Sequence, residues 1–203
     1  MTTPAILNSA FTQHATFNLS SASAVQLAAV LPALIPSVAV LPAAISFRTV
    51  PARLRATALV LRNSTAFQAS TLVDLVVVDK LNRRGRFAVK YSLLSTATNQ
   101  RYSLDIFADE VMTIPSLAAP FVRGAKVFAA AGWLEREAYD LFGLYFSEHG
   151  DLRRILTDYG FSNHPLRKDF PLTGFHEVVY NDAEGRVTSE PVELAQEFRV
   201  FHL

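Results

Sequence analysis

Residues 71–108 read TLVDLVVVDKLNRRGRFAVKYSLLSTATNQRYSLDIFA, and this stretch decides the fold. Residues 71–79 are rich in β-branched side chains and bounded by polar ones, the signature of a strand, and their near-continuous apolar run points to a central position in the sheet. Asn82-Arg83-Arg84-Gly85 supplies hairpin-turn chemistry. Residues 87–94 alternate in part and form the expected partner strand. Asn99 closes the next turn, and 101–107 is a third strand with Tyr102, Leu104 and Ile106 on one face.

Upstream of this meander, Pro51 suits the first turn of a helix that runs to about residue 63. Leu54, Ala58 and Leu61 recur on its buried face at helical spacing. Buried strands are expected over 38–41 and 45–50, and a short helix over 21–31. Residues 1–24, rich in Thr, Ser, Ala and Asn, read as an arm. Residues 22–47 carry no Asp, Glu, Lys or Arg, yet Pro32, Pro36 and Pro42 each remove a helix hydrogen bond and argue against a membrane span. Absence of acids fits a mitochondrial presequence loosely, but 1–47 contain no Arg, which such leaders require. Strands, helix and meander give an α+β class: a two-layer domain with a mixed sheet and helices over 35–144, preceded by the arm 1–34 and followed by a segment 145–203.

The chain contains no cysteine, which excludes disulfides and thiolate ligation of zinc or iron–sulfur clusters. Charge is divided unevenly. Residues 1–132 hold 12 Lys/Arg against 5 Asp/Glu, whereas 133–203 hold 7 against 13. Such asymmetry suggests two surfaces with different partners. It is too mild for nucleic acid, which requires a dense basic stripe.

From residue 116 the texture changes. Residues 125–142 read as a helix carrying Trp133, Leu134, Leu141 and Phe142, with Arg136 and Asp140 four apart and able to pair on its surface. Beyond Leu144 periodicity fails. Gly150, Gly160, Pro165, Pro171, Gly174, Gly185 and Pro191 punctuate a stretch that still carries Phe146, Leu152, Ile155, Leu156, Tyr159, Phe161, Phe170, Phe175 and Tyr180. These apolar groups are too many for a linker, so the segment is expected to lie extended on another subunit and bury them there.

The chemistry-rich residues are Glu135, Arg136, Glu137, Tyr139, Asp140, His149, Asp151, Arg153, Arg154, His164, Arg167, Lys168 and Asp169. One reading is a metal site built on His149, His164 and nearby carboxylates in a stand-alone enzyme, though no HExxH-like spacing supports it. Another is acid–base catalysis by Glu135, Glu137 and His149, though no nucleophile elbow, phosphate loop or triad accompanies them. A third is an ion-pair network at a subunit interface, which suits the mixture of Arg with acids because Arg pairs bidentately and fixes geometry.

Residues 132–180, GWLEREAYDLFGLYFSEHGDLRRILTDYGFSNHPLRKDFPLTGFHEVVY, closely resemble the thirty-kilodalton subunit family of respiratory complex I. The resemblance runs from Glu135-Arg136-Glu137 through Asp140-Leu141-Phe142 to His149, Arg153, Ile155 and Leu156. It resumes at His164-Pro165-Leu166-Arg167-Lys168-Asp169-Phe170-Pro171-Leu172. Arg186-Val187, Glu190-Pro191-Val192-Glu193-Leu194 and Gln196-Glu197-Phe198-Arg199 resemble the tail of mitochondrial and alphaproteobacterial members. Gly150 stands where the family usually has Pro, Asn163 where Gly is usual, and Val179 and Asn181 where Arg and Asp are usual. The resemblance implies a non-catalytic peripheral-arm subunit supporting NADH-to-ubiquinone electron transfer. It would pack against the forty-nine-kilodalton quinone-site subunit. It also implies no cofactor in this chain, with FMN and iron–sulfur clusters carried by other subunits, and the residues 135–169 named above as interface groups. The implied place is the matrix side of the mitochondrial inner membrane, or the cytoplasmic side of a bacterial one. Photosynthetic complex I-like enzymes and membrane-bound hydrogenases contain related subunits and remain open as alternatives.

Overall fold

The computed structural model describes residues 35–41, 44–81, 85–118, 120–122, 125–197 and 199, with no side chains within 119–126. The arm 1–34 with its expected helix, and the turn residues 82–84, lie outside the described residues.

Strands β1 (Ser37–Val40), β2 (Ile45–Arg48), β3 (Thr71–Asp79), β4 (Phe87–Ser95) and β5 (Gln100–Ala108) form one five-stranded sheet in the order β1-β2-β5-β4-β3. The meander β3-β4-β5 is antiparallel, as its turns foretell, and β2 joins β5 in parallel, so the sheet is mixed. A parallel neighbour needs a crossover. A single 3-10 turn at Pro51–Arg53 and helix α1 (Leu54–Asn63) begin that crossover, and Leu54, Ala58 and Leu61 are fully buried against the sheet.

Two strand expectations are corrected. β3 is an edge strand, not a central one. Its apolar run serves two faces: Leu72 and Leu75 point inward, while Val73, Val76 and Val78 are exposed. A register shift between Leu72 and Asp74 permits this, because the extra residue brings Leu72 and Leu75 to the same face despite their odd spacing. β1 is likewise an exposed edge and not a buried strand.

The core lies on one face of the sheet. Phe47 of β2, Tyr102 of β5 and Phe67 from the loop after α1 meet edge-to-face or tilted at 5.6–6.1 Å. Tyr91 and Leu93 of β4 and Leu104 and Ile106 of β5 complete the layer.

Downstream, β6 (Thr113–Pro115) pairs in parallel with β9 (Tyr145–Ser147), and β7 (Pro120–Val122) pairs with β8 (Ala125–Lys126). Between them stands helix α2 (Ala131–Phe142). The expected helix over 125–142 therefore begins six residues late. Ala125 and Lys126 are spent on a strand, the Val127 carbonyl accepts from the Arg62 guanidinium, and the Phe128 N–H donates to the Leu117 carbonyl at 3.0 Å. Beyond β9 the chain runs irregularly to a hairpin of β10 (His176–Asn181) and β11 (Arg186–Pro191), so the tail is not devoid of elements. Its apolar groups divide. Phe146 enters the chain's own core and Leu152 packs against it, while Leu156, Tyr159, Phe175 and Tyr180 are exposed. No described helix is long and apolar enough to cross a membrane.

Candidate functional site

The site is organised by α2, and it inverts ordinary amphipathic logic. Trp133 is 67% exposed, whereas Glu135, Arg136 and Asp140 are buried. A buried charge is tolerated only when it is paired and hydrogen-bonded, so each of these three must be fastened to something.

Glu135 faces back toward the sheet domain. Its Oε2 accepts from the Ser116 hydroxyl at 2.5 Å and its Oε1 from the Leu117 N–H at 2.7 Å. Burial pushes the carboxyl up to about 7, against the pull of those hydrogen bonds. His149 Nε2 stands 3.8 Å from the same carboxylate and donates to the Gly132 carbonyl at 3.2 Å, since its Nδ1 accepts from the Asp151 N–H. The Tyr91 ring lies fully buried, and burial together with the nearby Glu135 charge pushes its hydroxyl well up. Arg55 closes the cluster by donating to the Ser116 carbonyl and pairing with Glu148 at 2.7 Å.

Asp140 faces the tail. Its Oδ2 accepts from three successive N–H groups, those of Ile155, Leu156 and Thr157, at 3.2, 2.7 and 2.9 Å. Its Oδ1 accepts from the Thr157 hydroxyl at 2.6 Å and from Arg154 Nη1 at 3.3 Å. Consecutive amides turned toward one anion form a nest. Burial would raise this carboxyl, but the Thr157 hydroxyl and the three amides outweigh it and hold it down at about 2. Arg154 extends the grip to the Asn163 carbonyl at 2.8 Å and lies over the Phe161 ring.

The end of α2 leaves carbonyls that need donors. Gly143, at φ +75°, returns its N–H to Tyr139. The tail supplies the rest: His164 Nδ1 donates to the Asp140 carbonyl at 2.8 Å, the Leu166 N–H to Leu141 at 3.1 Å, and Arg167 Nε to Phe142 at 2.6 Å. Burial pushes both His164 and Arg167 down in pKa. One residue farther, the Lys168 N–H donates to Asp79 Oδ2 at 3.0 Å. Asp79 is in turn held bidentately by Arg86 at 2.8–2.9 Å, and Arg86 also grips Glu110 and Asp169. The Arg86 guanidinium holds the carboxyls of Asp79 and Asp169 below the usual range.

The predicted residues are therefore gathered around one helix without forming a single pocket. His149 is anchored near the start of α2 and His164 at its end, and no group of three His, Asp or Glu among the described residues could hold a metal ion. The surface pair Arg136–Asp140 is corrected. Arg136 donates instead to the Arg153 carbonyl at 3.1 Å and lies 4.8 Å over the Trp133 ring, because both charges are drawn inward by partners on the tail. Arg154 and Arg167 are committed within the chain. Among the described residues the Arg153 side chain pairs with Asp151 alone, in the open, and Glu137 is exposed. Sequence reasoning missed Ser116, Thr157, Asp79 and Arg86. Asp79 and Arg86 carried a signal, an acid and an Arg flanking the predicted hairpin turn.

Comparison with known proteins bears on what such an arrangement serves. The family described as respiratory-chain NADH dehydrogenase, 30 Kd subunit, matches residues 47–176. NADH-ubiquinone oxidoreductase subunit 9 of Reclinomonas americana is 49% identical over 152 residues, covering 75% of this chain and 71% of that one. NADH dehydrogenase (ubiquinone) iron-sulfur protein 3 of Arabidopsis thaliana is 51% identical over 141 residues, 70% of each chain. An NADH-quinone oxidoreductase subunit of Brucella ovis is 55% identical over 141 residues, 70% of this chain and 66% of that one. Among solved structures, a chain of the archaeal membrane-bound sulfane sulfur reductase shares the fold with a TM-score of 0.62 at 19% identity, over 76% of this chain and 87% of that one.

Proposed function

The chain belongs to the thirty-kilodalton subunit family of respiratory-chain NADH dehydrogenase, a peripheral-arm subunit of NADH:ubiquinone oxidoreductase, and from that premise we propose that its own contribution is to hold a partner subunit in place and not to react. The three relatives compared by sequence are all NADH dehydrogenase subunits, so the photosynthetic and hydrogenase readings are not favoured.

The observation that carries the proposal is the direction of the polar groups. Arg154, Arg167, His164, Asp140 and Glu135, the residues a chemist would choose as reactants, are turned inward and each is bonded to the chain's own main chain. What they leave exposed on α2 and on the tail bonded to it are Trp133, Glu137, Arg153, Leu156 and Tyr159, with Tyr159 fully exposed, and we take these as the docking face. Aromatic side chains beside Arg are the composition of an interface anchor. The forty-nine-kilodalton quinone-site subunit is the occupant we assign to that face, on the matrix side of the mitochondrial inner membrane or the cytoplasmic side of a bacterial one. The name iron-sulfur protein 3 belongs to relatives. This chain has no cysteine to hold a cluster through thiolates, and on the proposed reading cluster and flavin chemistry falls to other subunits.

The test separates assembly from rate. Tyr159→Asp combined with Leu156→Asp should reduce the assembled NADH dehydrogenase on native gels several-fold, with NADH–quinone turnover per assembled complex changed less than twofold. Full assembly with turnover down tenfold, about 1.4 kcal/mol in barrier, would instead put these residues in the quinone chemistry.

A further inference from the structure

The β10–β11 hairpin stands apart from the face just described. All of its twelve residues except Asn181 and Thr188 are exposed. The Val192 N–H donates to the Phe175 carbonyl at 3.2 Å and extends the ladder by one pair, and among the described residues the Phe175 ring, packed on Phe170 at 5.5 Å, ties the base of the hairpin to the rest of the tail. A lone two-stranded hairpin is marginal in water, because one ladder has no second layer to bury its side chains. Its register nevertheless sorts the residues cleanly. His176, Val178, Tyr180, Val187, Ser189 and Pro191 share one side, with Tyr180 opposite Val187. This side carries no Asp, Glu, Lys or Arg. On the other side Glu177 stands directly opposite Glu190, and neither is in an ion pair among the described residues. Like charges directly opposite across a ladder are destabilising. The segment 176–191 holds four acids against Arg186 alone.

We propose that this hairpin is a second docking element, separate from the α2 face. Its Val178/Tyr180/Val187 side seats in an apolar groove of a partner protein whose rim presents Lys or Arg to the Glu177/Glu190 pair. Charge complementarity fixes the class of occupant. An anionic lipid surface or a nucleic acid would be repelled by the four acids, and an apolar surface without cations would leave the acid pair unrelieved. The groove relieves both costs at once, since its floor covers the valines and the tyrosine while the cations of its rim reach round to the carboxylates on the other side. The proposal rests on the subunit reading above, because it takes the partner from the same assembly.

The chain's lack of cysteine makes a labelling test clean on its own surface. Val178→Cys and Val179→Cys place adjacent thiols on opposite sides of the hairpin. In the intact complex, maleimide labelling of the Val178→Cys thiol should be at least tenfold slower than in the isolated chain, with the Val179→Cys thiol slowed less than threefold. Adding Glu177→Lys gives the hairpin a favourable cross-strand pair with Glu190, yet it should cut the Val178→Cys protection at least fivefold by meeting the cationic rim. Equal labelling of Val178→Cys in the complex and the free chain would overturn the docking element, and unchanged protection with Glu177→Lys would overturn the basic rim. Protection that appears in the isolated chain as its concentration is raised would assign the groove to a second copy and overturn the partner reading. Comigration with NADH dehydrogenase on native gels is scored separately. Its loss in the unsubstituted chain would sink the subunit reading itself, whereas its retention with an unprotected hairpin sinks this inference alone.

Discussion

The sheet domain and the tail beyond β9 are built on opposite principles. In the domain, Phe47, Phe67, Tyr91, Tyr102 and Leu104 are buried almost completely, and apolar contact supplies the cohesion. The tail places few side chains in that core. Its polar ties centre on two points, the Asp140 carboxylate and the carbonyls at the end of α2 together with Asp79, with further bonds from Glu148 to Arg55, from His149 to the Gly132 carbonyl and from Arg136 to the Arg153 carbonyl. A region held by packing degrades gradually as methylenes are removed. A region held by one desolvated anion fails as a unit, because removing the anion strands all of its donors together. Position within the tail therefore matters less than distance from the two fastening points.

The sharpest way to break this contrast is Asp140→Ala. It leaves the amides of Ile155, Leu156 and Thr157 without their acceptor and the Arg154 guanidinium without its carboxylate, although Arg154 keeps the Asn163 carbonyl. We expect a loss of about 3–5 kcal/mol, the scale of a buried pair broken on one side. Proteolysis of the isolated chain should open first within 152–170 while the sheet persists. Simultaneous loss of sheet and tail in circular dichroism and proteolysis would show that the two regions are one cooperative unit.

A pH titration sharpens the comparison, because the two buried carboxylates respond with opposite sign. Glu135 is held at about 7, above its unfolded value, so the folded chain binds more protons than the unfolded one between about 4.3 and 7. Its contribution to stability should therefore fall as pH rises through that window, by on the order of 3 kcal/mol at 1.36 kcal/mol per unit. Glu135→Gln should flatten denaturant midpoints between pH 5 and 8. Asp140 is held at about 2, below its unfolded value of about 3.9, so its stabilisation is present above pH 4 and is lost as pH falls toward 2. Acid should free the tail first. An unchanged slope in the Glu135→Gln variant would remove Glu135 as the source of the neutral-pH sensitivity.

The smallest effect expected is at the second fastening point. Gly143 sits at φ +75°, and a Cβ there would fall 2.4 Å from Arg167 Nη2 and 2.6 Å from the His164 ring. Gly143→Ala should cost about 1–2 kcal/mol from the left-handed backbone, and more to the extent that the His164 ring cannot yield. Hydrogen exchange at the Leu166 amide, which bonds to Leu141, reads the loosened cap directly. Exchange unchanged at Leu166 would mean that the tail grips the helix end without help from His164 and Arg167.

How much of this was legible in the chain differs by region for a physical reason. The meander was legible almost residue by residue, since Tyr102, Leu104 and Ile106 alternate and the turns carry their own chemistry. The same local pattern could not say that β3 is an edge. An edge strand with an exposed apolar face and a strand buried on both faces show the same run of valines, and only the sheet order separates them. On α2, helical spacing foretold that Arg136 and Asp140 could touch. It could not foretell that both would turn inward, because their partners lie 17 and 14–17 residues ahead in a segment with no period of its own.

By itself, then, the sequence determined the class, the meander and α1, through periodicities that act over a few residues. It also excluded thiolate ligation of a cluster, since there is no cysteine, and it carried the family resemblance in residues 132–180. Tertiary structure alone decided which charges are fasteners and which are free to meet a partner. The number of Arg and Asp residues near α2 is a property of the chain, but their burial depends on where the tail returns. A guanidinium is an interface group or an internal tie according to what lies within about 3 Å of it. Arg153 and Arg154 are neighbours in sequence, and the fold points one at solvent and the other at the buried carboxylate of Asp140.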